Sequence, residues 1–262
     1  MVMILLISQI QVYPWQIFSF AEELYSEGKY REAALEYIRF FSLFPKSDSA
    51  DYAHFMAGYS YKMANLLNFA EEIFKRHIRE KRRGEVWARY ELAKIYLYRG
   101  DTFKFYEQIS EMPENSLQKK SLIAWMKMQE GDWVSAKRTV EGTILERYIK
   151  DPYLKSPGKA ALMSIIPGLG RYWLGDRGTA LMGFFTVMGF YALGIYYKFR
   201  EKRDVPAYAS FSAGLAFHAG QIYGSYAFAK VLNRERWREL LEEYSRAVEN
   251  FMNPKFEDFF ER

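Results

Sequence analysis

Residues 179–197 read TALMGFFTVMGFYALGIYY, nineteen consecutive positions without a charged side chain. A helix needs about 20 mostly apolar residues to cross a hydrocarbon core of about 30 Å, and soluble helices seldom run that far without a charge. A second run, 205–229, holds twenty-five uncharged residues, with His218 and Gln221 as its strongly polar members. Between the runs lies the short basic connection KFREKRD. The pattern predicts two membrane spans, about 178–197 and 205–229, folded back on each other as a helical hairpin.

The flanks agree with a bilayer. Lys155, Lys159, Arg171 and Arg177 precede the hairpin and Lys230, Arg234, Arg236 and Arg238 follow it, placing cations where anionic head groups and snorkelling favour them. Tyr172, Trp173, Tyr196, Tyr197, Tyr208 and Trp237 have the spacing of an interfacial aromatic belt. Lys198, Arg200, Lys202 and Arg203 in the connecting loop favour a cytoplasmic loop, and hence repeats on the periplasmic side of an inner membrane. Ser212, Ala216, Gly220 and Gly224 put a small residue at every fourth position of the second run. Such a stripe lets helix backbones approach closely in lipid. The simpler partner is the first run, through Gly183, Gly189 and Gly194; the alternative is a second copy of the chain, through Gly220 and Gly224. His218 and Gln221 stand one turn apart, and a polar pair inside a membrane either joins helices or serves function.

Composition narrows the rest. The chain has 262 residues, of which 50% are hydrophobic and 18% aromatic, which excludes a disordered protein. It contains no cysteine and three histidines, which removes thiolate metal sites, disulfides and a cysteine nucleophile. No metal or cofactor is expected. The net charge of +5 falls well short of a nucleic-acid arm, so nucleic acid is disfavoured as a partner even with the basic run Lys75–Arg83. The charge is also uneven: residues 14–145 carry 20 basic and 19 acidic residues, and residues 146–234 carry 12 and 5. No phosphate loop, nucleophile elbow or paired-carboxylate pattern occurs, so no catalytic residue is assigned.

Ahead of the first run, residues 157–175 read PGKAALMSIIPGLGRYWLG. The apolar part is too short to span, and Pro167-Gly168 followed by Gly170 breaks a helix, so a re-entrant or interfacial half-helix is expected. Ser164, Pro167, Gly168, Gly170, Tyr172 and Gly175 resemble the motif of the two-transmembrane-helix domain and its uncharacterised bacterial relatives. Many of those relatives carry Gln or His where this chain has Arg171. The resemblance covers about residues 158–232 and implies a membrane module, without an established reaction.

The N-terminal half repeats. Ala21, Gly58, Ala93 and Ala124 head four similar blocks offset by 37, 35 and 31 residues, with Gly28, Asn65, Gly100 and Gly131 at the expected turns. The period and pattern resemble the tetratricopeptide repeat, a helix–turn–helix unit of about 34 residues. That resemblance implies a solenoid whose first helices line a concave groove. Carried over position by position, ten aromatic residues would face it: Trp15, Phe18 and Tyr25; Tyr52, Phe55 and Tyr59; Trp87, Tyr90 and Tyr98; and Trp125. An aromatic groove suits an apolar protein or peptide segment, supplied by a partner or by the chain's own termini.

The resulting expectation is an all-α protein: an apolar segment at 1–13 (signal, anchor or docked filler), four repeats at 14–145, a linker at 146–158, the membrane module at 159–232 and an amphipathic helix at 233–262. In that helix Trp237, Leu240, Leu241, Tyr244, Val248 and Phe251 recur at helical spacing. The function expected is a membrane-anchored adaptor of a bacterial-type cell envelope. The alternative is a membrane enzyme or small-solute transport component using His218, Gln221 and Arg171.

Overall fold

The computed structural model describes residues 13–259, and every regular element among them is helical. The chain divides into two compact units. One comprises residues to Arg147 together with those from Arg246; the other is Tyr148–Ser245. The apolar start, 1–12, lies outside the described residues.

Among its described residues up to Arg147, the first unit contains eight α-helices: α1 (Pro14–Ser26), α2 (Tyr30–Leu43), α3 (Ala50–Met63), α4 (Leu67–Arg79), α5 (Glu85–Arg99), α6 (Thr102–Ser110), α7 (Leu117–Glu130) and α8 (Trp133–Thr139). They pair as four successive helical hairpins, a helical-repeat-like architecture. The repeat is visible in the backbone itself. Each hairpin turns on a left-handed residue at the same register position: Gly28 (φ 78°), Asn65 (58°), Gly100 (73°) and Gly131 (84°). The next residue in each case returns its N–H to a carbonyl five residues back: Lys29 to Leu24, Leu66 to Tyr61, Asp101 to Tyr96 and Asp132 to Lys127. This is the closure that satisfies the last carbonyls of a helix. Glycine supplies the positive φ without steric penalty, and Asn is the commonest substitute.

Small residues let the paired helices approach. Ala21, Ala33, Ala70, Ala93, Ala124 and Ala136 are all fully buried. At Gly58 a β-carbon would meet the Phe74 ring at 2.8 Å, so the register that places glycine there also seats the fully buried Phe74. Asp101, Ser116 and Asp132 cap α6, α7 and α8 by accepting backbone N–H bonds.

The second unit contains α9 (Pro157–Met163), α10 (Leu169–Leu174) and α11 (Arg177–Phe199), together with most of α12 (Asp204–Phe251). α11 and α12 run antiparallel: Gly194 meets Phe211, Tyr191 meets Gly214, and Gly183 meets Gln221. Among the described residues, α11 alone is long and apolar enough to cross a membrane, with a mean hydropathy of 1.5 and only 17% of its most apolar stretch buried. Leu181, Met182 and Phe185 on α11 are exposed, as are Val205, Leu215 and Tyr223 on α12.

The region 205–229 is thus the first part of a 48-residue helix, which does not join α11 as a helix long and apolar enough to cross a membrane. The amphipathic segment expected at 233–262 is likewise no separate helix. It continues α12 to Phe251, and its last residues belong to the repeat unit. No glycine, proline or turn cluster interrupts 225–251, so nothing stops the helix earlier.

Candidate functional site

The ten aromatic positions assigned to the repeat face divide by exposure. Trp15 (66% exposed) and Tyr98 (80%) are open to solvent, Phe18, Tyr25, Tyr59 and Trp125 are half-buried, and Tyr52, Phe55, Trp87 and Tyr90 are buried. The first helices bring several of them together. Phe18 of α1 lies 6.1 Å from Tyr52 of α3, Tyr25 lies 6.2 Å from Tyr59, and Trp87 and Tyr90 of α5 meet edge to face at 5.9 Å. Such aromatic pairs favour tilted and edge-on packing.

Part of this face is occupied by the chain itself. Beyond α12 the chain forms a short 3-10 turn, Phe256–Phe259. Asp258 closes it by accepting the Lys255 N–H at 2.8 Å. Phe256 packs on Tyr52 at 4.9 Å and on Phe18 at 6.0 Å. Phe259 is fully buried, with its ring 5.0 Å from Phe55, 5.2 Å from Tyr52 and 6.4 Å from His77. Sequence reading ended the tail's apolar pattern at Phe251. The available signal was the return of phenylalanines after Pro254, at 256, 259 and 260, among charged residues.

Beside the aromatic seat is a buried charge cluster. Glu91, 1% exposed, contacts Lys62 Nζ at 2.5 Å and Lys94 Nζ at 3.5 Å. Lys62 also sits over the Tyr59 ring at 4.5 Å and Lys94 over Tyr90 at 5.1 Å. Burial alone would raise the Glu91 carboxyl; the two ammonium groups outweigh it and hold the carboxyl below its usual range.

Beneath Phe259 lie two buried histidines, with His54 Nδ1 3.1 Å from His77 Nδ1. His77 Nε2 is 2.8 Å from the Arg83 carbonyl and must donate to it. The His77 Nδ1 lone pair therefore accepts from His54 Nδ1–H, an assignment fixed by the hydrogen-bond network. Burial, joined by the neighbouring ring, lowers His54 to about 3. Burial lowers His77 to about 4 against the pull of the Arg83 carbonyl.

In the second unit the glycine-rich segment and α12 form a polar knot. Gln221 Oε1 accepts the Gly168 N–H at 2.9 Å, and His218 Nε2 lies 3.1 Å from the Ser164 carbonyl. Ser164 Oγ donates to the Ala160 carbonyl at 3.0 Å and lies 2.7 Å from Ser225 Oγ, which leaves Ser225 as the donor of that pair. Gly168 takes φ 81°, and a β-carbon there would strike the Ala180 carbonyl. One at Gly170 would strike Ser164 Oγ and the Ala160 carbonyl. Gly175 closes α10 at φ 99°. Pro167 lies in the break between α9 and α10, and Tyr172 is half-exposed.

Both polar side chains expected inside the second run are therefore engaged in holding the broken α9–α10 segment to α12. Arg171 pairs with Asp176 at 3.3 Å and lies over the Phe228 ring at 4.3 Å. It also borders a cavity of about 500 Å³ lined by Gly183, Ala216, Gly220, Gln221 and Gly224. Nothing lies within 4 Å of a β-carbon at Gly220, and Gly224 meets only Arg171. On α12 the stripe members Ala216, Gly220 and Gly224 thus front the cavity; of the α11 glycines expected at the contact, Gly183 and Gly194 do meet α12, at Gln221 and Phe211, while Gly189 is open, and Gly214 supplies the close approach from α12.

Among the described residues no group of three or more His, Cys, Asp or Glu side chains is placed to hold a metal ion. No family model matches the chain, and no curated protein matches it by sequence. What fold and site define is a class: an all-α, helical-repeat-like protein with, among the described residues, one helix long and apolar enough to cross a membrane.

Proposed function

We propose that the protein is a membrane-anchored adaptor whose repeat unit, of tetratricopeptide type, captures a segment of a partner protein on the aromatic face of α1, α3 and α5. One observation carries the reading: that face receives two phenylalanine side chains of a short turn, with Phe259 fully buried by them. A surface that removes a peptide aromatic from water in this way has the chemistry of an interface hot spot. By the repeat register, the exposed Trp15 and Tyr98 continue the same face.

In this reading α11 and the first part of α12 form a two-span hairpin of the kind found in the two-transmembrane-helix domain. Support comes from the exposed apolar side chains of both helices and the low burial of α11, which a soluble core helix would not have. Anionic head groups would meet the flanking Lys and Arg residues. The hairpin belongs in the inner membrane of a bacterial-type envelope, with the repeats on its periplasmic side.

The test uses the full chain in cells, with a photo-crosslinking residue at position 59 and the exposed face residues replaced (Trp15→Ala, Tyr98→Ala). Discrete crosslinked partners that vanish in the two variants, from a chain that resists alkaline carbonate extraction, are the expected result. Crosslinks indifferent to both variants would sink the groove assignment. Release of the chain by carbonate would sink the anchor.

A further inference from the structure

We propose that the C-terminal turn is a resident competitor in the aromatic face, and that the face selects partner segments presenting two aromatic side chains three residues apart on a single turn. The proposal rests on the adaptor reading above and adds the ligand's chemistry and its regulation.

The chemistry follows from how the tail is held. Phe259 is the anchor: it is fully buried, and its seat is closed on one side by the backbone of Gly84, so close to the ring that no β-carbon fits between them. Phe256 is the second point, half-covered on Tyr52 and Phe18. Between them Glu257 and Asp258 remain exposed, so the two intervening positions tolerate polar residues. Asp258 pre-forms the turn by accepting the Lys255 N–H, which lowers the ordering cost of binding. A ligand of the form aromatic-x-x-aromatic, with a turn-capping acidic residue before the second ring, reproduces each of these contacts.

The regulation follows from covalent connection. The turn begins five residues after α12 ends at Phe251, and a segment on so short a leash meets its seat at an effective concentration of order millimolar. A partner binds only the fraction of molecules whose seat is open, and its apparent affinity falls by that fraction. The tail therefore suppresses weak or non-specific aromatic segments and yields to ligands that also engage the open Trp15 and Tyr98.

The experiment uses the full chain in detergent micelles and a fluorescein-labelled peptide MNPKFEDFFER, the sequence of residues 252–262. The expected result is binding to Phe256→Ala/Phe259→Ala protein at least about tenfold tighter than to the wild type, and loss of binding when the same two phenylalanines are replaced in the peptide. Equal binding to both proteins, or to both peptides, overturns the proposal. Because the double variant removes a buried ring, a second readout uses the wild-type chain with fluorophenylalanine at 259. Excess peptide should move its fluorine resonance to the solvent position; an unmoved resonance overturns the proposal. A wild-type dimer that the double variant turns into a monomer would also overturn it, by assigning the seat to the tail of a second copy. The adaptor reading fails separately: cellular crosslinks dependent on Trp15 and Tyr98 persist if only the competitor is wrong, and are missing if the adaptor is wrong.

Discussion

Gly84 and Phe259 are in van der Waals contact across 175 residues of chain, the ring occupying the position where any other residue at 84 would place its β-carbon. Gly84 also has φ 78°, so two physical reasons for glycine coincide at one site. They separate by comparison with Gly28, which has the same φ of 78° and nothing within 4 Å of a β-carbon. Gly28→Ala should cost only the left-handed backbone penalty, about 1–2 kcal/mol. Gly84→Ala should lose that amount and also expel the tail. The readouts are thermal melting of both variants and the fluorine resonance at position 259. A Gly84→Ala chain with an unmoved resonance would show that the ring tolerates the β-carbon.

The histidine pair under the same ring gives a pH signature. Both rings titrate well below the ordinary histidine value, His54 at about 3 and His77 at about 4. Between the unfolded value near 6.5 and these folded values the unfolded chain binds more protons. Stability is therefore fully present above about pH 6.5 and declines as pH falls toward 4. Arg82 and Arg76 near His54, and Asp51 and Glu85 near His77, modulate the two rings in opposite senses. Replacing both rings (His54→Phe, His77→Phe) should flatten the decline between pH 6.5 and 4.5, as followed by helical circular dichroism. An equal slope in the variant would assign the acid sensitivity to carboxylates instead.

Glu91 predicts a different response. It is 1% exposed and balances two lysines drawn from α3 and α5. Glu91→Gln keeps the shape and removes the countercharge, leaving Lys62 and Lys94 to face each other in a poorly solvated site. Breaking a buried ion pair at one member costs about 3–5 kcal/mol. Adding Lys94→Met to that variant should recover a large part of the loss, because the remaining cation then has no like-charged neighbour. A double variant no more stable than Glu91→Gln alone would show that the repulsion is small.

What the sequence made legible was local. The turn positions Gly28, Asn65, Gly100 and Gly131 are set by one residue's φ each, and the same offsets that align them in the sequence align the closing hydrogen bonds in the fold. Ala21, Ala33, Ala70 and Ala124 were legible for the same reason, since a fixed helix spacing places them on the seam. The aromatic register brought Phe18, Tyr52 and Phe55 onto one face, but not their covering by Phe256 and Phe259, which is a contact between chain ends with no periodic signature. The His54–His77 pair was invisible likewise, since it joins separate helices 23 residues apart with no periodic signature. In the second unit the spacing of His218 and Gln221 placed both on one face. It did not reveal that their partners are the Ser164 carbonyl and the Gly168 N–H, which are backbone atoms freed by the break at Pro167-Gly168.

That break makes the glycines of the second unit unequal. Gly170 has Ser164 Oγ, the Ala160 carbonyl and Ser225 Oγ around its missing β-carbon. Gly220 has open space. Gly170→Ala must push Ser164 away and so disrupt its hydrogen bonds to Ala160 and Ser225; in a poorly hydrated site the loss is of order 2–3 kcal/mol. Gly220→Ala alters no contact within the chain and should leave its melting temperature in detergent unchanged, or raise it slightly through helix propensity. If Gly220 and Gly224 instead seat a second copy of α12, larger residues (Gly220→Leu, Gly224→Leu) will convert a dimer to a monomer in light scattering while the monomer stays folded. A chain that is monomeric before the substitution would show that no second copy fills the cavity bordered by Arg171.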